Sequence, residues 1–276
     1  MKEIKSLDPS VRLDDSLSMD IRYADDTTLL SVVFDKLKLS TKELEEACKK
    51  WGMKINGAKC KIISPSENEI VIDGQVVEHV PEFVFLGSLV PDSSADVRRR
   101  IALAATAFGR LRKSIWNRRS ISLNLKIRLY KALILPIATY ASETWTVKGE
   151  DAHKLEVFEM RCLRAILGVT RLHRIPNEQI RKILNISNTI SEIVRNKRLR
   201  WFGHVTRRPD ESLVYQAYNQ DFPNPRPKGR PPKRWTDHIR CDTGLPVATA
   251  ERRASDRARW RRAVGDNAKG QRGLGT

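Results

Sequence analysis

Cysteine is scarce: Cys48, Cys60, Cys162 and Cys241 are scattered over 276 residues and form no CxxC pair. That excludes a disulfide-dense scaffold and makes a reducing, intracellular setting the expectation, in nucleus or cytoplasm. His238 and Cys241 have an H-x2-C spacing, but no second pair follows to complete a zinc knuckle, so a structural histidine and a buried thiol are expected. No apolar run reaches the length of a membrane span, and "MKEIKSLDPSVRLDD" lacks the apolar core of a signal peptide, so no membrane partner is expected. No internal repeat is visible. At 40% hydrophobic residues the chain is nevertheless rich enough in apolar side chains to bury a core.

What is scarce in the second part of the chain is negative charge. Residues 1–94 carry 12 basic and 17 acidic side chains, whereas 95–276 carry 39 and 16. The overall balance is +18. Such a one-sided excess implies a polyanionic partner, nucleic acid before others. The plainer alternative is a set of helices solvated by Lys and Arg.

The patterning predicts an α+β fold. Ile21 to Val33 alternates around "ADD", as two strands joined by a tight turn do. "STKELEEACKKWG" predicts a helix capped by Ser40 and Glu43 and stopped at Gly52. Short strands are expected at "KCKIIS" and "EIVIDGQVVEHV", the latter turning at Asp73-Gly74, and one more at "EFVFLGSLV". From residue 95 the period becomes helical: Val97, Ile101, Ala104, Ala105, Phe108 and Leu111 share a face opposite arginines. A helix kinked by Pro136 follows, then helices at 150–167 and 177–184, and one capped by Thr189 and Glu192. "DFPNPRPKGRPPKRW" is basic and proline-rich and is not expected to pack. A single arginine-loaded helix is expected in "ATAERRASDRARWRRAV". The expected domains are 1–93, 94–220 and 221–276.

"YADD", Tyr23 to Asp26, resembles the catalytic hairpin of reverse transcriptases. "WGMKINGAKCKII" and "FVFLGSLV" resemble the two blocks that follow it in that family, in the same order. "RLYKALILPIATYASETWTV", "RCLRAILGVTR", "RLRWFGHVTRRPD" and "GRPPKRWTDHIR" resemble the region after the polymerase in LINE-type, non-LTR retrotransposons. The resemblance implies a partial polymerase palm followed by a helical thumb and a basic tail. It implies RNA and DNA, as template and primer, for partners and Mg²⁺ for cofactor. Asp25 would be the metal ligand proper and Asp26 would assist it. Lys59 would protonate the leaving pyrophosphate, unless it is simply a solvated lysine. Tyr23, two residues before Asp25, would share its strand face and contact the primer–template, as would Leu86 and Gly87 in the aromatic-Leu-Gly strand. Cys60 stands where the family usually has Thr.

The resemblance also implies a third carboxylate on an upstream strand, with basic fingers and a template-binding block. Only 22 residues precede Tyr23, and Asp8, Asp14, Asp15 and Asp20 lie in no apolar strand at the expected distance. A C-terminal portion of a longer polyprotein, without polymerase activity of its own, is therefore expected; the alternatives are a non-catalytic nucleic-acid-binding module and a non-functional remnant of such an element. Candidate phosphate contacts are Arg98, Arg99, Arg110, Arg112 and Lys113 on the first long helix after residue 94, and Arg195, Lys197, Arg198 and Arg200 later. Trp201, Trp235 and Trp260 stand among arginines and could stack on bases, although for Trp201 its helical face favours packing in the core or an interface. His173 and His204 are expected at helix ends or near phosphates. "PRPKGRPPKRW" resembles an AT-hook, with Arg230 for the minor groove and Lys228, Lys233 and Arg234 for flanking phosphates. A basic linker fits the same composition.

Overall fold

The computed structural model describes residues 18–31, 33–65, 68–219 and 233–266. It is α+β, as expected, and divides into two compact units. The first runs to Phe83 and is rejoined at Arg208; the second spans Val84–Arg207 and is completed by the C-terminal helices.

The first unit opens with β1 (Ser18–Tyr23) paired antiparallel to β2 (Asp26–Ser31). Next comes α1 (Phe34–Lys50), which starts six residues earlier than Ser40 suggested. Phe34 and Leu37 pack on the unit's core, and that burial extends the helix through Ser40, so no capping box forms there. Gly52, at φ +68°, takes the chain out of the helix. β3 (Lys61–Ile62) pairs in parallel with β6 (Glu78–His79), and between them β4 (Val71–Ile72) and β5 (Gln75–Val76) form a hairpin. Its turn is Asp73-Gly74, both at positive φ, the two-residue geometry that Asp-Gly favours. Ile62, Ile70, Ile72 and Val77 make a small core. α8 (Leu213–Asn219) belongs to this unit as well.

In the second unit "EFVFLGSLV" is not one strand but a hairpin, β7 (Phe83–Phe85) and β8 (Ser88–Val90). Leu86 and Gly87 form its loop at φ +45° and +82°. The helical body is built from α2 (Ser93–Arg110), α3 (Leu123–Leu129), α4 (Leu135–Ala138), α5 (Gly149–Leu167), α6 (Asn177–Ile183) and α7 (Ile190–Val205). A π-helical turn, Tyr130–Ile134, joins α3 to α4 just before Pro136. Proline lacks the N–H and crowds the preceding turn, and the wider turn accommodates both effects. Val97, Trp116, Tyr130, Ile134, Trp145, Leu155, Leu163 and Ile190 are central in the core. Glu159 of α5, 1% exposed, accepts from Arg181 Nη2 at 2.8 Å and from the Ile190 N–H that opens α7, at 3.0 Å. Thr189 and Glu192 form the expected capping box.

The C-terminal region is part of this unit rather than a segment apart. α9 (Trp235–Thr243), α10 (Val247–Ser255) and α11 (Arg257–Asp266) close around α7. The expected single terminal helix is broken at Asp256, whose carboxylate accepts from the Ala258 and Arg259 N–H groups and so starts α11. Trp260 is 4% exposed and donates to Leu199 O at 2.9 Å. It lies against Gly203, where a Cβ would come within 2.5 Å of the indole; only glycine permits that approach. Trp235 donates to Glu143 O at 2.8 Å, and both indoles flank Phe202. Packing, not base stacking, thus occupies Trp235 and Trp260. Among the described residues no helix is long and apolar enough to cross a membrane.

Asp96 joins the hairpin to the helices. It is 1% exposed in the first turns of α2 and accepts from Ser88 Oγ (2.9 Å), Leu89 N (3.0 Å) and Trp145 Nε1 (2.9 Å). Arg100 Nε lies 3.7 Å away. Asp96→Ala leaves these donors and a buried guanidinium uncompensated, and should cost on the order of 3–5 kcal/mol. The urea midpoint of tryptophan fluorescence measures it; Arg98→Ala, an exposed control, should shift stability by under about 0.5 kcal/mol.

His238 is buried, and that burial, reinforced by Arg198 and Lys233, lowers its pKa to about 4 from the usual 6.5, against the pull of Asp237. Between these values the unfolded chain binds a proton that the folded chain refuses, so stability falls as pH drops through that window. Glu159 and Asp242, raised by burial, act in the opposite sense over part of it. The expected result is therefore a difference: the melting temperature of His238→Asn falls less steeply between pH 6.5 and about 4 than that of the parent. Parallel slopes would show that His238 titrates normally.

Candidate nucleic-acid interface

The β1–β2 hairpin turns in two residues, Ala24 and Asp25, because Tyr23 and Asp26 are the last paired positions. Ala24 sits at φ +55°, a conformation that costs a non-glycine residue energy and holds the tip sharp. Asp25 therefore lies in the loop and not on a strand face. The side-chain neighbour of Tyr23 on the hairpin is Asp26, directly opposite it, which corrects the expected pairing of Tyr23 with Asp25. Tyr23 is 65% exposed, and both carboxylates face solvent.

Lys59 lies in the same unit, exposed at the end of a 3₁₀ turn, Gly57–Lys59, that Asn56 caps by accepting from the Lys59 N–H at 3.2 Å. Gly57 is buried against the β4–β5 hairpin, where a Cβ would stand 3.0 Å from Ile72 O and 3.1 Å from Gln75 Oε1. The Asn-Gly of "KINGAK" is thus a packing device that sets where Lys59 emerges. Among the described residues no ion pair joins Lys59 to Asp25 or Asp26. Cys60 is half-buried and burial pushes its thiol pKa up, in line with a packing role.

The Leu86-Gly87 loop is held by its backbone. Tyr140 Oη donates to Leu86 O at 2.9 Å, and Arg99 Nη1 to Gly87 O at 2.9 Å. Arg100 Nη2 also donates to Gly87 O, and its guanidinium stacks 4.1 Å from the Tyr140 ring centroid. Leu86 remains 39% exposed. Arg99 is thereby spent partly on the loop, while Arg98, Arg110, Arg112 and Lys113 are exposed. Between Arg98 and Arg110, α2 presents Ala102, Leu103, Ala105, Thr106 and Gly109 to solvent, all but Leu103 small.

On α7 the expected contacts separate. Arg200 is exposed, but Arg198 is 4% exposed and donates to Asp242 Oδ2 at 2.6 Å. Arg195 donates to Asp242 O, and Lys197 to Thr139 O. Burial lowers the Lys197 pKa. Arg198 is thus turned into the second unit and not toward a strand lying on its outer surface: α9 supplies the carboxylate that pulls it inward. Lys233 and Arg234 are exposed, whereas Lys228 and Arg230 of the hook-like stretch lie outside the described residues. His173 accepts from the Thr170 N–H at 3.0 Å, a helix-end role. His238 is buried, but Cys241 is exposed, which corrects the expected buried thiol: on α9 it faces away from the core that takes in His238 and Ile239.

Asp25 and Asp26 have no third carboxylate beside them among the described residues, so the donor set does not fit a two-metal site. Sequence reasoning missed Asp96, Arg100 and Asp242, because nothing local marks a carboxylate that will be buried by a distant element. Gly57→Ala should destabilise the first unit by about 1–3 kcal/mol through overpacking against a backbone carbonyl. Faster amide exchange at Ile62 and Val77, with Leu163 unchanged, is the expected signature.

No protein-family model and no solved structure matches the chain. A transposon-derived protein of Caenorhabditis elegans is 25% identical over 271 residues, covering 87% of this chain and 92% of that protein. RNA-directed DNA polymerases from the mobile element jockey are 26% identical over 199 residues in Drosophila funebris and 23% over 177 in Drosophila melanogaster. These stretches cover 66% and 58% of this chain but 22% and 19% of those polymerases. The chain is a retrotransposon-related protein, and part of it is related to RNA-directed DNA polymerases.

Proposed function

We propose that the chain is a non-LTR retrotransposon reverse-transcriptase segment that binds template and primer without, by itself, extending them. The observation that carries this is the set of exposed cations on and after α2, at Arg98, Arg110, Arg112 and Lys113, in a region with 39 basic and 16 acidic residues. The face between them, small but for Leu103, brings a duplex or strand near, and Arg200 adds a further exposed cation on α7. Binding of this kind neutralises phosphates and reads little sequence.

The Tyr23–Asp26 hairpin is the inherited catalytic element in this proposal. Asp25 and Asp26 would contribute to a Mg²⁺ site in a complete polymerase. Here the described donors are too few, and no catalytic step is assigned to them. Tyr23, Leu86 and Gly87 stay in the proposal as primer–template contacts: Tyr23 is open to solvent, and the loop carrying the other two is braced from behind by Arg100 and Tyr140.

One preparation of the full chain tests both parts. Binding to a primed RNA template should weaken steeply with salt, and Arg110→Ala/Lys113→Ala should flatten the log–log slope by about 2. Nucleotides and Mg²⁺ or Mn²⁺ should give no extension. A salt-independent affinity would defeat the binding claim, and extension abolished by Asp25→Asn would defeat the non-catalytic one.

A further inference from the structure

A cleft of about 340 Å³ opens in the second unit between the start of α5, α7 and α9. Four cations line it, Lys148, Arg195, Arg198 and Lys233, against two carboxylates, Glu192 and Asp242. Both carboxylates are already engaged: Glu192 accepts from the Thr189 N–H at 2.7 Å, and Asp242 from Arg198 Nη1 at 2.6 Å. Arg198 is 4% exposed, yet its Nε has no hydrogen-bond partner. A buried guanidinium N–H left unmade is costly and calls for an acceptor. Arg195 Nε is likewise without a hydrogen bond, standing 4.0 Å from Asp242 Oδ1.

Two further features suit an anion. The 19-residue helix α5 begins at the cleft with Lys148 and Gly149, and no side chain caps its first N–H groups, although Glu150 and Asp151 stand in its first turn. Asp151, in its first turn, is bound instead to Ser94 and Lys154. His238 lines the cleft with a neutral ring over the physiological range, able to donate one N–H. Val147, Ala152, Leu155 and Val194 form an apolar wall, which leaves space for more than a bare phosphate.

We propose that this cleft binds the phosphate monoester of a nucleotide, with Arg198 Nε, Arg195, Lys148 and Lys233 on the phosphate and the apolar wall against the remainder. The site stands on its own residues and does not depend on strand binding by α2. The monoester could belong to a free nucleotide or to the end of a strand, and the experiment separates these sources.

Calorimetry on the full chain would use adenosine 5′-monophosphate, adenosine and inorganic phosphate. The monophosphate should bind saturably and adenosine should not, with inorganic phosphate weaker than the monophosphate. Lys148→Ala/Lys233→Ala, two side chains outside the core, should weaken the monophosphate at least about tenfold, since each removes a charge-assisted contact. Arg118→Ala/Arg119→Ala, two exposed arginines that do not line the cleft, should leave it unchanged. Displacement of the nucleotide by a 5′-phosphorylated oligonucleotide, but not by its 5′-hydroxyl twin, would support the site and assign it to strand ends. Failure of both to displace it would support the site with free nucleotide as the source. No saturable binding, equal affinity for adenosine, an unaffected Lys148→Ala/Lys233→Ala variant, or equal displacement by both oligonucleotides would overturn the proposal.

Discussion

The Asp96 carboxylate is the constraint on which the second unit turns. It sits near the start of α2, where the helix dipole favours negative charge, and it is closed off from water. From there it holds Ser88 and Leu89 of the hairpin, Trp145 of the helical body, and through Arg100 the Leu86-Gly87 loop. A hairpin this short is marginal by itself. Anchored to a buried charge, it becomes part of a helical unit and projects Leu86 outward.

The same logic, an inward-turned carboxylate satisfied by groups from other elements, recurs at Glu159 and Asp242. Glu159 gathers α5, α6 and the first N–H of α7. Asp242 holds α7 twice, its carboxylate accepting from Arg198 and its backbone carbonyl from Arg195. In a chain with so large a cationic excess, each inward carboxylate selects which arginines become structural. Arg100, Arg181 and Arg198 are drawn in, and Arg98, Arg110 and Arg200 remain for a partner. The division lets one basic sequence stabilise the fold and still leave exposed cations for the strand binding proposed above.

The motif-rich stretches around Trp201 and Trp235 have an equally physical meaning. Gly203 leaves room for Trp260, and Phe202 is flanked by two indoles whose N–H groups reach backbone carbonyls. The C-terminal helices thereby wrap α7 and complete both the core and the cleft at the start of α5. In the unit that carries the carboxylate hairpin, Gly57 plays a comparable part, because a Cβ there would press on Ile72 O and the Gln75 side chain of the β4–β5 hairpin.

By itself the sequence determined what depends on neighbours along the chain. The Tyr23–Asp26 turn, the Asp73-Gly74 turn, the capping box at Thr189 and the amphipathic period of α2 follow from local sterics and hydrogen bonding and stand in the structure, except that Ala105, expected on the apolar face of α2, is exposed. So does the charge asymmetry, a property of composition. Tertiary structure decided the rest. It began α1 at Phe34 rather than at Ser40, folded "FVFLGSLV" into a hairpin, split the terminal helix at Asp256, and turned Arg198 inward. In each case the deciding partner lies elsewhere: the first unit's core for Phe34, Asp96 for the hairpin, α7 for Trp260, and α9 for Arg198. Local propensity differs by tenths of a kcal/mol per residue, whereas burying an aromatic ring or satisfying a desolvated charge is worth roughly 1–3 kcal/mol, and the stronger effect wins.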